Sequence, residues 1–504
     1  MMARGWYSCW IGVLSIFLMA CTARSPLDLA LERAGDNRLE LEKVLQHYSG
    51  DSQKRKAAEF LISNMPYHFS REGFFVNRDG KRFRPDMRRI TDKKAMEECI
   101  DSLHAAGYRV QERKRYDIHT IGSDFLIRQI ELAFEAWDKP WAREVSFEDF
   151  CRYILPYRSQ YEMLGDFREV LRDRYLPLLE SSGVTNPYDA CLIVNARLKE
   201  EIRYKDVGSP LYATIEETYQ SGKGACEALC DYTLHAMRSV GIPVTIRQTV
   251  WTRMDRGHVW TAVLSNGSFY NFSPADTQAD TYAEVLYGRR YLKPAKVYQR
   301  NFEAVMTPVL PGKDDGYVTF LKSPLIVDVS AEQPVPQYTL CIPVKEQSLL
   351  RKDGILYLCG YNQRQWRPVA MGCYDGAGKA VFEHVAGKNF LIVAECDGNG
   401  NLHYVSDPVR TDADGSILLL PGDTARRITH TFLKENIGKD YSLGYWDAQE
   451  MRFVNLDFEA DTDSTQTYTN IPEHALLYYR SDEYAMNNRV GMIIDGVYKR
   501  THEW

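Results

Sequence analysis

No stretch beyond the first twenty residues reaches the about 18 consecutive apolar residues from which a membrane-crossing helix is built, so no internal span is expected. Positive charge is not in excess: 62 Lys and Arg stand against 68 Asp and Glu, a net charge of −6. That speaks against a general nucleic-acid binder, because neutralising phosphates takes a basic surface. Glycine (33) and proline (21) are too ordinary in 504 residues for a collagenous or low-complexity chain. No Cys-x-x-Cys pair occurs, and Cys226 and Cys230 have no histidine pair behind them, which removes the usual grounds for a structural zinc site. No repeat of fixed period is found, and nothing in the pattern asks for a cofactor. What is present is a folding composition, with 44% hydrophobic and 26% charged residues and length for about three domains. Aromatics at 12%, with 32 tyrosines, fit a β-rich extracytoplasmic protein.

The amino terminus reads as an address. Arg4 precedes the apolar run Trp10–Leu18, too short to cross a bilayer, and Leu18-Met19-Ala20-Cys21 follows. This three-part form is that of a signal peptide, and a small residue before a cysteine resembles the bacterial lipobox. The resemblance implies cleavage before Cys21 and lipid on its sulfur and new amino group. The mature protein would then hang from a membrane in the bacterial envelope, on the extracytoplasmic side. A plain secretory signal with an incidental cysteine is the competing reading. With Cys9 in the signal and Cys21 lipidated, nine of the eleven cysteines are left, an odd number, so at least one thiol stays unpaired within the monomer.

Along the chain, Asp36 is placed to cap a helix whose apolar positions Leu41, Val44, Leu45 and Tyr48 keep a 3.6-residue period. Similar patterns cover 57–65, 95–106, 125–137, 147–153, 164–176 (stopped by Pro177) and 188–202, so the chain to about residue 205 is expected to be mostly helical. The texture then changes. A helix is expected over 226–240, ended by Gly241 and Pro243, followed by a strand over 244–251. Two further strands, 258–264 and 269–273, are joined around Ser265-Asn266-Gly267, and Asn-Gly is a strong hairpin signal. Beyond Met306–Asp315 the pattern is one of short strands punctuated by turns, as in a β-sandwich. The fold class is therefore a multidomain α+β protein: signal 1–21, helical region 22–137, α+β core 138–305, β-sandwich 315–412 and a second β-rich domain 413–504.

Three pieces carry chemistry: Gly222-Lys223-Gly224-Ala225-Cys226-Glu227, then Arg238-Ser239-Val240-Gly241-Ile242-Pro243, then Gly257-His258-Val259-Trp260. A cysteine is a useful nucleophile as thiolate, and a helix start or a neighbouring imidazolium lowers its pKa. Cys226 follows a Gly-x-Gly turn and opens the expected helix, so free backbone N–H groups should favour its anion and could hold a developing oxyanion. His258 begins a strand that can lie beside that helix end, where an imidazole takes the thiol proton and later returns it to a leaving amine. A third group would fix its tautomer, and Asp276, beyond the next strand, is the first choice, with Asn271 in reserve.

These residues also carry a resemblance. The Gly-x-Cys helix start, the Arg-x-x-Gly-Ile-Pro segment, the His-x-Trp strand and the aromatic strand ending near Pro274 resemble the transglutaminase-like core of the papain-like superfamily, over roughly Tyr188–Asp276. Phe150–Arg158 with Glu162 resembles the helical lead-in of transglutaminase-like lipoproteins of Bacteroidetes, and the whole layout is similar to theirs. The resemblance maps the family's cysteine onto Cys226 and its histidine onto His258, and implies attack on an amide carbonyl through a thioester. It departs at the third position: the family has Asp before the proline, where this chain has Ser273.

Three functions compete: hydrolysis of peptide-like amides at the envelope, the favoured one; transfer of the acyl group to an amine, giving cross-links; and a non-catalytic lipoprotein that binds glycan or protein. The expected partners are a peptide or protein substrate, a membrane through the lipid on Cys21, and, in the last reading, a glycan at the β domains. Several neighbours are assigned plain roles. Cys230 is core, His235 a satisfied mid-helix histidine, and Trp260 packing beneath His258. Arg253, Asp255 and Arg256 are solvated loop charges, with a substrate clamp as the sharper alternative. Tyr219 and Lys223 could approach an oxyanion, though nothing requires it, and Phe150–Arg158 is a joint between helices and core. The spaced aromatics from Tyr441 to Trp504 are read as sandwich core rather than a sugar platform.

Overall fold

A computed structural model describes residues 24–275, 294–305, 316–345, 355–397, 399–481 and 490–503. Cys9, Cys21 and Asp276 lie outside the described residues.

The first two hundred residues are largely helical, as periodicity implied. The helices are α1 (Pro26–Arg33), α2 (Arg38–His47), α3 (Ser52–Asn64), α4 (Lys93–Ala105), α5 (Ser123–Trp137), α6 (Phe147–Tyr153), α7 (Phe167–Glu180) and α8 (Pro187–Glu201). Three expectations fail. Asp36 does not cap α2: it lies in a 3-10 turn, Gly35–Asn37, and Asn37 holds the N-cap position without a side-chain bond. Helix α7 runs through Pro177, because Tyr175 and Leu179 on either side are fully buried and their packing offsets the lost backbone hydrogen bond. A three-stranded antiparallel sheet, ordered β2-β1-β3, interrupts the helices with β1 (Phe69–Val76), β2 (Arg82–Phe83) and β3 (Arg109–Tyr116). Its third strand, Arg-Val-Gln-Glu-Arg-Lys-Arg-Tyr, is exposed throughout, so it shows no apolar alternation to read.

Next comes the α+β part, whose sheet takes in a strand beyond residue 305. Short parallel strands β4 (Arg203–Tyr204) and β5 (Lys223–Gly224) flank α9 (Ile215–Ser221), and α10 (Cys226–Ser239) follows. A five-stranded antiparallel sheet is ordered β10-β9-β6-β7-β8, from β6 (Val244–Val250), β7 (Gly257–Ser265), β8 (Ser268–Phe272), β9 (Tyr298–Arg300) and β10 (Ile326–Asp328). The β7–β8 turn is built on Asn266 (φ 50°) and Gly267 (φ 73°), the left-handed pair that Asn-Gly adopts readily. Side chains alternate along β7. Val259 and Val263 join Leu229 and Cys230 of α10 in one apolar core, while Trp260 packs with Trp251, Val297 and Val329 in another.

The remaining described chain is β. An eight-stranded antiparallel sheet follows the path β11-β14-β13-β12-β15-β17-β18, with β16 pairing β15: β11 (Gln337–Pro343), β12 (Ile355–Asn362), β13 (Gln365–Tyr374), β14 (Lys379–Ala386), β15 (Asn389–Cys396), β16 (Leu402–Tyr404), β17 (Val409–Thr411), β18 (Ile417–Leu419). Central strand β12 is buried on both faces. Leu356 and Leu358 pack within the sheet's own core, whereas Tyr357, Cys359 and Tyr361 pack with Trp446, Tyr478 and Met492 from the last part of the chain. That part forms one three-stranded and one five-stranded sheet, which share Phe432, Leu443, Tyr468, Ile471 and Tyr479. Tyr441 and Trp446 are buried, in keeping with a core role for most of the spaced aromatics, while Phe458 is exposed. No helix among the described residues is long and apolar enough to cross a membrane, and their nine cysteines are all free thiols.

Candidate active site

The chain reaches Cys226 through a sequence of local signals. A capping box between Thr214 and Glu217 starts α9, and Gly222 in the left-handed region (φ 62°) ends it. Gly224 then makes the turn into α10, where a Cβ would stand 2.8 Å from that of Ala228. The N-cap, Ala225, offers no side-chain acceptor, so no side chain caps the first N–H groups of α10 at the residue that carries the sulfur. The Cys226 thiol donates to Glu227 Oε2 at 3.3 Å, and the backbone N–H groups of Val259 and Glu227 act on the sulfur. The sulfur therefore lies against β7 at the residue next to His258.

The sequence led us to expect a thiolate, and the structure reverses this. Burial, helped by the charge and hydrogen bond of Glu227, pushes the thiol up to about 12; the two N–H groups pull the other way and lose. Nothing in the motif itself marks Glu227 for this role; its approach to the sulfur comes with the fold.

His258 is the second residue of β7 and faces Thr249 across the ladder. Its ring stacks between Trp251 (centroids 5.9 Å apart, planes 14°) and Trp260 (5.8 Å, 25°). Burial between them lowers its pKa to about 4, so the imidazole is neutral near neutral pH. Asn271 pairs with Ala262, four residues along β7 from His258, and its Oδ1 accepts from Trp260 Nε1 (3.0 Å) and Arg247 Nη1 (3.2 Å). It steadies the indole on which His258 stacks. Beyond β8, Asn195 of α8 holds the descending segment, donating to Ser273 O at 3.2 Å and accepting from Ala275 N at 2.7 Å.

The polar loop before His258 is a correction to the sequence reading. Arg253 and Asp255 are not solvated: both are buried, Arg253 donating to Thr501 O (2.7 Å) and Asp255 accepting from Gln363 N (2.7 Å). Asn362, the last residue of β12 and fully buried, places its amide nitrogen 2.7, 3.3 and 2.7 Å from the carbonyls of Trp251, Met254 and Arg256. Its Oδ1 accepts from Arg256 N at 2.8 Å. Thr252 donates to Asn389 Oδ1, and Gly360 passes so close that a Cβ would stand 2.6 Å from Thr252 Cγ2. Nothing near the core motifs signals these partners.

A cavity of about 240 Å³ opens beside the start of α10; Lys205, Asp206, Tyr212, Glu217, Lys223 and Glu227 are among its lining residues. A larger one, about 840 Å³, sits at Ser239 and Val240, the opposite end of the same helix, away from this chemistry. The other neighbours have structural employment. Cys230 is core; His235 Nε2 meets Glu162 Oε1 at 2.8 Å; Lys223 donates to Ile90 O; Tyr219 stacks on Tyr232 and accepts from Arg174. Arg158 is buried against Asp117 with two hydrogen bonds, and Arg238 reaches back from α10 to Arg158 O, which makes 150–158 a joint.

No curated protein sequence matches this chain. Among solved structures, it is similar to a protein assigned as a cysteine protease from Cytophaga hutchinsonii, with 13% identity and a TM-score of 0.19, over 21% of this chain and 37% of that one. It is also similar to red sea bream transglutaminase, with 8% identity and a TM-score of 0.21, over 86% of this chain and 78% of that one. The chain thus spans little more than a third of the cysteine protease. The family comparison is local and specific: residues 179–274, which contain Cys226 and His258, match the transglutaminase-like superfamily and form a transglutaminase-like domain.

Proposed function

We propose that this protein is a cysteine-dependent acyl-transfer enzyme acting on amide or peptide bonds, with hydrolysis as its outcome. The observation that carries the reading is the placement of the Cys226 sulfur. It lies at an uncapped helix start, under the influence of the N–H of the residue beside His258, and its neighbours Ala225 and Glu227 line an open cavity. In this mechanism the thiol passes its proton to neutral His258 as sulfur attacks the carbonyl carbon. The N–H groups at the start of α10 receive the oxyanion, imidazolium returns the proton to the departing amine, and water resolves the thioester. Asp276 is the proposed orienting group. With Glu227 on the sulfur the site is at rest, and withdrawing that carboxylate removes one of the two causes that keep the thiol protonated. Anchoring through a lipid on Cys21, with a peptide or protein substrate at the envelope, belongs to the same proposal.

One observation favours a second reading, a non-catalytic binding lipoprotein: the thiol is pushed up and the imidazole down, so proton transfer between them is uphill as they stand. p-Nitrophenyl acetate separates the two. The enzyme should release nitrophenol with acetyl captured on Cys226, seen by mass spectrometry and abolished in Cys226→Ala and His258→Ala. The absence of both acetyl on Cys226 and nitrophenol release that depends on Cys226 and His258 establishes the second reading. Adding methylamine to the assay and weighing acid against amide product distinguishes hydrolysis from acyl transfer.

A further inference from the structure

The three-stranded sheet that interrupts the helices has two unlike faces. Paired residues on neighbouring strands carry their side chains to the same side, so the register sorts them. On one side Phe75 is fully buried, a Cβ at Gly73 would stand 3.2 Å from Leu211 Cδ2, and the Arg71 guanidinium lies 5.5 Å from the centre of the Tyr212 ring. That face packs on the α+β part. The other side carries Glu72, paired with Arg113, and Val76, paired with both Arg82 of β2 and Arg109 of β3. Arg115 follows on the same side, opposite Ser70. All four arginines are exposed.

These cations share one anion. Glu72 accepts from Arg113, and that bond, with the nearby charges of Arg113, Arg115 and Arg82, holds its carboxyl below the usual range. Among the described residues no carboxylate is ion-paired with Arg82, Arg109 or Arg115. Arg82 lies over the Phe74 ring at 4.1 Å, and Arg109 donates to the carbonyls of His104 and Tyr108. Arg78 and Lys81, in the turn joining β1 to β2, are exposed as well. Strand spacing puts the four arginines within a patch of roughly 10 by 20 Å, close enough for their fields to add. The face thus holds four arginines against one carboxylate, on a chain whose net charge is −6. Charge of either sign would keep the edge strand β3 from pairing with another chain. Four guanidinium forks, each fitted to a pair of phosphate oxygens, do more than that.

The patch also lies toward the amino terminus. Helix α1 is followed by Ala34, whose carbonyl oxygen stands 3.4 Å from Nδ1 of His119, in the 3-10 turn Asp117–His119 that directly follows β3. With a helix rising about 1.5 Å and an extended chain at most about 3.6 Å per residue, Cys21 stays within about 30 Å of Ala34. A lipid on Cys21 would hold this end of the molecule at a bilayer surface.

We infer that the face formed by Arg82, Arg109, Arg113 and Arg115 docks on the phosphate headgroups of an anionic lipid bilayer, laying the sheet against the membrane. The choice of a bilayer as occupant rests on the proposed anchoring through Cys21, because a basic surface beside a lipid tether is the second signal that makes such an anchor firm.

The test uses the mature chain from residue 21 with Cys21→Ser, so that no lipid contributes, sedimented with vesicles of phosphatidylcholine alone or mixed equally with phosphatidylglycerol. Binding should appear with the anionic vesicles, weaken as salt rises, and fall about fivefold in Arg115→Gln. Changing all four arginines to Gln should reduce it to the level of the neutral vesicles. Gln at Lys56, Arg143, Lys199 and Arg452, exposed elsewhere, should leave most of it. Thermal unfolding checks that the variants fold, and Arg115→Gln, which breaks no ion pair among the described residues, carries the test alone if the fourfold variant does not. No binding to the anionic vesicles, or an equal loss in the two fourfold variants, overturns the inference. So does retention on heparin through these arginines without vesicle binding, which makes the partner a soluble polyanion. Lipid on Cys21 is read separately, from the mass of the amino-terminal peptide of the native protein, so a missing anchor and an unfit face give different results.

Discussion

The two halves of the candidate site are held in different ways. Cys226 owes its position to its near neighbours in sequence: the capping box of α9, the turn at Gly224 and the start of α10. His258 owes its position to remote ones, because the loop leading to it is tied to Asn362, Gln363, Asn389 and Thr501. A local device leaves the sulfur with few partners and a chargeable neighbour. A remote one buries the loop and stacks the imidazole between two indoles. Reactivity is thus tuned on the cysteine side and geometry on the histidine side. The C-terminal sheet that supplies Asn362 is part of how the site is built, rather than an appendage to it.

The hardest blow to this contrast comes from Asn362→Ala. It strips four hydrogen bonds from a buried loop and should cost about 3 kcal/mol in urea denaturation, since each buried polar group left unsatisfied costs about 1–3 kcal/mol. Amide exchange should quicken over 251–258 and stay unchanged at the start of α10. If α10 loosens equally, the halves are not separately held.

Glu227→Gln probes the other half. Removing a charge that raises the thiol pKa should bring it down by about one unit and speed iodoacetamide labelling of Cys226 about tenfold at mildly alkaline pH, with stability nearly unchanged. In the unaltered protein the labelling rate should keep climbing toward about pH 12 with no plateau near neutrality.

The smallest effect is an acid one. His258 titrates at about 4 folded against about 6.5 unfolded, so between these values the unfolded chain binds the extra proton and stability falls as pH falls. Near pH 5.5 the loss should be about 1 kcal/mol and absent in His258→Gln, read from thermal unfolding across that window.

Within residues 188–273, α8, α10 and the β7–β8 hairpin were legible because their signals are local, while α9 and its flanking strands were not. Apolar spacing marked α8 and α10, Asn266-Gly267 marked the hairpin, and Gly-x-Cys and His-x-Trp marked the two candidate side chains. Strand β3 was illegible because its side chains face solvent, and α7 ran past Pro177 because burial there outweighs one backbone bond.

By itself, then, the sequence determined which side chains are candidates for chemistry and which local elements present them, since caps, turns and periodicity act over a few residues. Only the tertiary structure decided their state and their surroundings. Burial and the approach of Glu227 set the protonation of Cys226, and Asn362, 106 residues beyond Arg256, holds the loop before His258. Desolvation and hydrogen bonding between distant segments exist once the chain has closed on itself, and no window of residues contains them.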